Sequence, residues 1–398
     1  VPLQPKQAAK CSRCGAGLYR ETKNSLDRTL ALSITGLVLF ILANIFPLMT
    51  FQMQGRSQSN TLISGVLEFI SGGFVGLGIL VFLVSILIPF VYLAGLLYVL
   101  LPLKFSRRPW KLVPVFKVID TLRPWAMIEI YMLGIFVAIV KLADFATIDA
   151  GIGLFAFAGL FVVIAAASFS LDPRIIWEQL DIEQSSSKPL MNEDVLVNCH
   201  HCDLLISFDE FHHHTHAYCP RCDSKLHRRI PNSLARSWAF LIAAAVLYIP
   251  ANVFPVMTVI SFGQGSPDTI MSGVVHLAEA DQWPIAILVF VASIFVPILK
   301  ILLITFLLIS VQFKSYWRPK DRTVMYRLTE LVGRWSMIDI FMISILIGLV
   351  KLGAIATIEA GIGATAFAAV VVLTMFSANY FDSRLIWDNI ETRDQPNG

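Results

Sequence analysis

ANIFPLMT occupies residues 43–50, and ANVFPVMT occupies residues 251–258, an offset of 208 (251 − 43). Working outward, the match continues in both directions. Upstream, CSRCGAGLYRETKNSL (11–26) aligns with CPRCDSKLHRRIPNSL (219–234). Downstream, TLISGV (61–66) aligns with TIMSGV (269–274), and SILIP (85–89) with SIFVP (293–297). A slip of two then sets the offset to 210. WAMIEI (125–130) pairs with WSMIDI (335–340), VKLADFATIDAGIG (140–153) with VKLGAIATIEAGIG (350–363), and LDPRIIW (171–177) with FDSRLIW (381–387). A match of this length means two modules fused in tandem.

The 398 residues are 56% hydrophobic and only 15% charged, with mean hydropathy +0.70. That composition excludes an ordinary soluble domain and a disordered chain. The apolar residues fall in four blocks per module, near 29–50, 75–103, 125–143 and 148–171, then 236–258, 284–313, 335–353 and 358–381. Each is long enough to cross a hydrocarbon core of about 30 Å as a helix. The second and sixth exceed that length and should tilt or protrude. Pro47 and Pro255 should end the first helix of each module, and Pro89 and Pro297 should kink the second.

The expected fold is an all-α polytopic membrane protein, a tandem repeat of two four-helix modules, each preceded by a small cytoplasmic zinc ribbon. The expected boundaries are a partial ribbon at 1–27, the first module at 28–180, a polar linker at 181–197, the second ribbon at 198–230, the second module at 231–390 and a disordered tail at 391–398.

Lys and Arg set the orientation. They cluster before helix 1 (Lys6 to Arg28), between helices 2 and 3 (Lys104 to Arg123), before helix 5 (Arg221 to Arg236) and between helices 6 and 7 (Lys314 to Arg334). The opposite loops offer only Arg56 in 51–74 and neither Lys nor Arg in 259–283. The ribbons and the C-terminus are therefore expected in the cytoplasm. Both modules enter from the same side, as parallel repeats. A net charge of +3, without a base-reading helix, argues against nucleic acid.

All six cysteines lie in C-x-x-C pairs. Cys199, Cys202, Cys219 and Cys222 have the spacing of a two-knuckle structural zinc site. Iron, as in a rubredoxin-like centre, is the alternative. The histidines around 200–216 read as a polar loop between the knuckles. Cys11 and Cys14 correspond to Cys219 and Cys222, so the repeat places their partner pair about twenty residues upstream, before Val1. They are expected metal ligands in a longer native chain, or otherwise a degenerate half-ribbon, a reactive dithiol or a disulfide.

Ionisable side chains inside spans are costly and point to function. Lys300 lies roughly midway along the sixth block, and its counterpart is Tyr92. Ser293 lies two turns earlier on the same face. Thr374 lies in helix 8, whereas the first module has no hydroxyl around Ala165. Lys141 and Asp144, at i and i+3, form a second candidate pair. The plain alternative for the lysines is snorkelling to an interface. Glu129 and Asp339, at equivalent helix starts, are explained by the helix dipole. The candidate site is thus Lys300, Ser293 and Thr374, then Lys141 and Asp144, holding an anionic headgroup or coupling transport to protons.

The tandem C-x-x-C motifs, NSL, ANxFPxMT, TxxSGV, RWSMIDIF (334–341), ATIxAGIG and the closing DxRxIW together resemble the paraquat-inducible protein A family of bacterial inner-membrane proteins. The resemblance covers nearly the whole chain and departs from it at the missing first C-x-x-C. It implies a periplasmic partner built of mammalian-cell-entry (MCE) domains that form a tunnel, with phospholipid passed between that tunnel and the inner membrane. No Walker A sequence is present, and no enzyme is expected. A redox protein, a small-molecule exporter and a scaffold that anchors the partner are the competing readings.

Overall fold

The computed structural model describes residues 8–11, 13–15, 17–20, 24–53, 56–105, 107, 110–143, 147–178, 196–207, 218–227, 229–261, 264–333, 335–350 and 356–388. The linker at 181–195, the tail at 391–398 and the histidines at 212–216 lie outside the described residues. Among those described, eight helical stretches are long and apolar enough to cross a membrane, four in each module.

The chain opens with the hairpin β1 (Ala8–Lys10) and β2 (Gly17–Arg20), which carries Cys11 and Cys14 in its turn. Helix α1 (Ser25–Ile45) follows, then strands β3 (Met49–Met53) and β4 (Arg56–Asn60), and the short helix α2 (Leu62–Ser71). The chain returns through α3 (Val75–Phe82), a π-helical turn (Leu83–Leu87) and α4 (Ile88–Lys104). It reverses into α5 (Leu112–Leu122), breaks at Arg123–Trp125, and continues as α6 (Ile128–Ala143), β5 (Thr147–Ala150), α7 (Ile152–Ser170) and α8 (Pro173–Glu178).

The second module begins with β6 (Leu196–Asn198) and β7 (Leu205–Ser207), then repeats the order. It runs α9 (Ser233–Val253), β8 (Met257–Ser261), β9 (Gln264–Asp268), α10 (Ile270–Glu279), α11 (Trp283–Phe290), a π-helical turn (Val291–Phe295) and α12 (Val296–Gln312). It closes with α13 (Pro319–Gly333), a break at Trp335–Met337, α14 (Ile338–Leu349), β10 (Ala356–Ala360) and α15 (Ile362–Tyr380).

The expectation of an all-α protein is corrected at one end of the bundle. There each module builds a three-stranded antiparallel sheet, in the order β4-β3-β5 and β10-β8-β9. The reason lies in the shared motifs. Pro47 and Pro255 follow the last turns of α1 and α9, and the extended chain beyond them needs hydrogen-bond partners away from water. The ATIxAGIG segment supplies them. Gly151 N–H donates to Leu48 O at 2.9 Å and Gly153 N–H to Pro47 O at 3.0 Å, and Gly361 and Gly363 repeat both bonds on Val256 and Pro255. A Cβ on Gly153 or Gly363 would run into the carbonyls of this same Phe-Pro segment.

The basic connections between helices 2 and 3, and 6 and 7, hold the helices α5 and α13. The stretches Val75–Lys104 and Trp283–Gln312 have 30 residues each, about 45 Å as helix. They overhang the bundle at the end opposite the sheets, and α5 and α13 pack back along the overhang. Pro89 and Pro297 sit two residues past the π-helical turns, which absorb the hydrogen bond that each proline cannot donate.

The NSL and DxRxIW motifs clasp this second end, here the ribbon end. Ser25 Oγ donates to Ser170 O at 2.6 Å and accepts from Asp172 N–H at 2.9 Å. Ser233 does the same with Tyr380 O and Asp382 N–H, at 2.7 and 3.0 Å.

The modules meet through α14, buried along its whole length. Small residues of the first module allow the approach. A Cβ on Gly65 of α2 would lie 2.5 Å from Ser344 O, and one on Gly134 of α6 would lie 3.1 Å from Phe341 Cβ. Asn60 Nδ2 donates to Ile345 O at 3.3 Å across the same contact.

Candidate functional site

Three knuckles share one backbone geometry. In each, the residue after the second cysteine takes positive φ: Gly15 (68°), Asp203 (54°) and Asp223 (55°). Its N–H returns to the carbonyl of the first cysteine, at 2.8, 3.1 and 2.8 Å. That turn aims both thiols of a pair the same way. In the second ribbon the two pairs face each other. Cys199 and Cys222 Sγ are 3.5 Å apart, as are Cys202 and Cys219 Sγ. All four sulfurs lie within 4.8 Å of one another and are buried.

These separations exclude disulfides, whose sulfurs lie about 2.0 Å apart. They fit tetrahedral metal–thiolate geometry, in which bonds of about 2.3 Å give sulfur–sulfur edges of about 3.8 Å. Hydrogen bonds from the Cys202 and Cys219 side chains hold the Cys199 thiol far below its ordinary range. The bond to Cys199 raises Cys202 and pushes Cys219 up to about 11. The thiols thus share protons as one group, and the four could hold a metal ion that displaces those protons. His200 and His201 stand exposed beside it and are not needed as ligands. Cys11 and Cys14 are half-exposed and stand apart from the four-cysteine group. Cys14 Sγ accepts from an Arg327 guanidinium N–H at 3.0 Å, so the first knuckle rests on α13 of the second module.

Lys300 is 3% exposed, and its Nζ has no hydrogen-bond partner among the described residues. It borders a cavity of about 50 Å³ shared with Trp125, Glu330, Gly333, Ala378 and Asn379. Trp125 belongs to the first module, so the amine sits at the junction between modules. Ala378 and Asn379 lie in the last turn of α15. Lys300 is therefore near the ribbon end rather than at mid-depth, because the overhang of α12 places the midpoint of its apolar stretch away from the midpoint of the bundle.

The equivalent slot in the first module is filled differently. Tyr92 replaces Lys300, and its hydroxyl lies 3.3 Å from Ser168 Oγ. Ser168 corresponds to Ala378, and Arg123 corresponds to Gly333. Arg123 donates to Ser168 O at 2.8 Å. In the second module the absent arginine makes room for Lys300: a Cβ on Gly333 would lie 2.8 Å from Lys300 Nζ.

Ser293 is fully buried in the π-helical turn, and its Oγ has no hydrogen-bond partner among the described residues. It lines a different cavity, of about 30 Å³, with Asp268, Thr269 and Asp339. Thr374 is buried and donates to Val371 O of its own helix at 2.9 Å. Neither residue lines the Lys300 cavity. Lys141 lies in α6, but its side chain, and all of Asp144, fall outside the described residues. Sequence reasoning passed over Gly333, Ala378 and Glu330. The first two were legible as departures from the repeat, opposite Arg123 and Ser168.

These features define a two-module helical membrane protein with a cysteine cluster fit for a metal and a buried lysine at the module junction. The family model of Paraquat-inducible protein A matches residues 26–181 and 234–391, and the chain belongs to that family. It is similar to lipophilic envelope-spanning tunnel protein A of Escherichia coli (strain K12), at 32% identity over 391 residues, covering 98% of this chain and 88% of the relative. It is 33% identical over 398 residues to intermembrane transport protein PqiA of the same organism, covering 97% and 92%. A probable intermembrane transport protein of Haemophilus influenzae is 29% identical over 385 residues, covering 97% and 92%. No solved structure matches the chain.

Proposed function

We propose that the chain is a bacterial inner-membrane subunit of an MCE-type lipid transport system. It moves phospholipid between the inner membrane and a periplasmic MCE-domain tunnel protein. The ribbon end faces the cytoplasm, where the Lys and Arg clusters lie, and the sheet end meets the partner. No covalent chemistry is involved. Full-length similarity to relatives named for intermembrane transport and for an envelope-spanning tunnel supports this reading.

The single observation that carries it is the unpartnered Lys300 amine at the module junction. An ion buried without a partner costs several kcal/mol, and a phosphate headgroup would supply the missing charge. Ser293 and Thr374 serve the same module as secondary polar groups. Lys141 and Asp144, by their i, i+3 spacing, are a lesser pair in the first module. The metal at Cys199, Cys202, Cys219 and Cys222 is structural zinc, and Cys11 and Cys14 are half of an equivalent site.

The test is native purification from membranes with mass spectrometry of co-purifying lipids and proteins, comparing wild type with Lys300→Met. Phospholipid and an MCE-domain partner with the wild type, and less lipid with the variant, are expected. An intact complex with equal lipid in both would assign the protein to scaffolding. Metal analysis should find zinc without visible absorbance; an iron–thiolate spectrum would favour a redox role.

A further inference from the structure

A third cavity, of about 460 Å³, lies between the first knuckle and the second module. That size falls within the range of about 300–1,000 Å³ typical of small-molecule sites. Four arginines line it, Arg13, Arg229, Arg327 and Arg384, against two carboxylates, Glu330 and Asp388. Asp388 is already committed: Arg229 Nε donates to it at 2.9 Å, and a second guanidinium nitrogen pairs with its other oxygen. Arg384 is held at its backbone, where its N–H donates to Asp382 Oδ1 at 3.0 Å, while Asp382 Oδ2 accepts from Ile230 N–H at 3.1 Å. Its guanidinium is thus presented from a fixed start of the closing segment.

The first module explains why the cavity exists. There Phe116 and Trp177 stack edge to face, 5.2 Å between centroids, and Trp177 is buried. Their counterparts are Tyr326 and Trp387, which line the cavity instead. The polar atoms of both rings are occupied elsewhere: the Tyr326 hydroxyl donates to Ala378 O and Trp387 Nε1 to Thr323 Oγ1. One Arg327 nitrogen donates to Cys14 Sγ. The result is an aromatic-walled pocket where four guanidiniums face two carboxylates, and planar, forked donors of this kind match phosphate oxygens.

We propose that this cavity binds a phosphate group, carried by an anionic phospholipid headgroup or by a free organic phosphate. Glu330 lines both this cavity and that of Lys300, so a headgroup held here stands next to the buried amine. The inference deepens the transport reading by naming the ligand chemistry and the end at which it is taken up. It rests on that reading only for the lipid source.

The test uses the full chain in phosphatidylcholine nanodiscs, titrated calorimetrically with sn-glycerol 3-phosphate, and in parallel nanodiscs doped with phosphatidylglycerol. Saturable binding is expected. Arg384→Gln should weaken it by about tenfold or more, as loss of a charge-assisted donor implies. Arg174→Gln, the equivalent change in the first module, should leave it unchanged. Glu330→Gln should tighten it, a gain that misfolding cannot produce. Competition by phosphatidylglycerol identifies the headgroup as the source, and superimposable curves in the two nanodiscs identify the free phosphate. Detergent-resistant retention of phosphatidylglycerol, lost in Arg384→Gln, also supports the proposal if the soluble phosphate binds too weakly to titrate. No saturable binding together with no arginine-dependent retention overturns it, as does equal weakening by Arg174→Gln. Binding that persists while transport fails would leave the site standing and remove only the transport reading.

Discussion

The two modules share their locks and differ at their slots. The Phe-Pro and AGIG segments, the NSL clasp and the capped TxxSGV turns recur with nearly the same hydrogen bonds in both halves. Each recurrence has a structural cause in a freed backbone group or a helix end. Where the halves diverge, the first module is filled and satisfied and the second is open and charged. Tyr92 and Arg123 both bond to Ser168 where Lys300, Ala378 and Gly333 leave a cavity around an amine. Phe116 and Trp177 stack where Tyr326 and Trp387 line a pocket. A duplicated scaffold shows by this contrast which costs stability alone does not require.

The contrast between the knuckles gives the largest expected effect. Cys202→Ser should abolish metal binding at the second ribbon, a site type worth about 10–16 kcal/mol in small zinc domains. Cys14→Ser should leave that metal in place. Metal content per chain, measured by mass spectrometry, checks both. Apparent affinity should fall as pH falls, because protons compete for the thiolates.

Placing the second module's charge in the first should break the comparison sharply. Tyr92→Lys buries an ammonium beside Arg123 with no cavity to receive it. We expect a loss of about 3–5 kcal/mol, read by thermal unfolding in detergent.

The junction between modules is the next test. Gly65→Ala drives a methyl group into Ser344 O of α14, and overpacking of this kind costs about 1–3 kcal/mol. The unfolding midpoint should drop, and Asn60→Ala should drop it less, since it removes the side-chain bonds with Ile345 O and Ser64 Oγ without forcing atoms together.

The smallest effect belongs to Arg229→Gln, which removes a half-exposed ion pair with Asp388. Stability should change by about 1 kcal/mol or less, so any larger loss would mean that the cavity wall depends on this pair.

The repeat, the eight spans and the cysteine cluster were legible in the sequence because each rests on local period or spacing. The sheets were not. Strands such as β3 and β5 are five and four residues long, and their pairing depends on two helix ends meeting in space. The overhang of α12 was also hidden: apolar length alone does not say which end protrudes, so Lys300 read as central. Lys300 itself was legible as a charge in an apolar run. Its separation from Ser293 was not, because two turns on one helical face still opened onto different cavities once α14 packed between the modules.

The central claim is that Lys300 is retained for function at a cost in stability. The most direct test is Lys300→Met, assayed for lipid transfer in reconstituted membranes at matched folded amounts. The expected result is an unfolding midpoint equal to or above that of the wild type, since an apolar replacement of a buried ion is neutral or stabilising by about 1–4 kcal/mol, together with loss of transfer. Unimpaired transfer by a well-folded variant would contradict it.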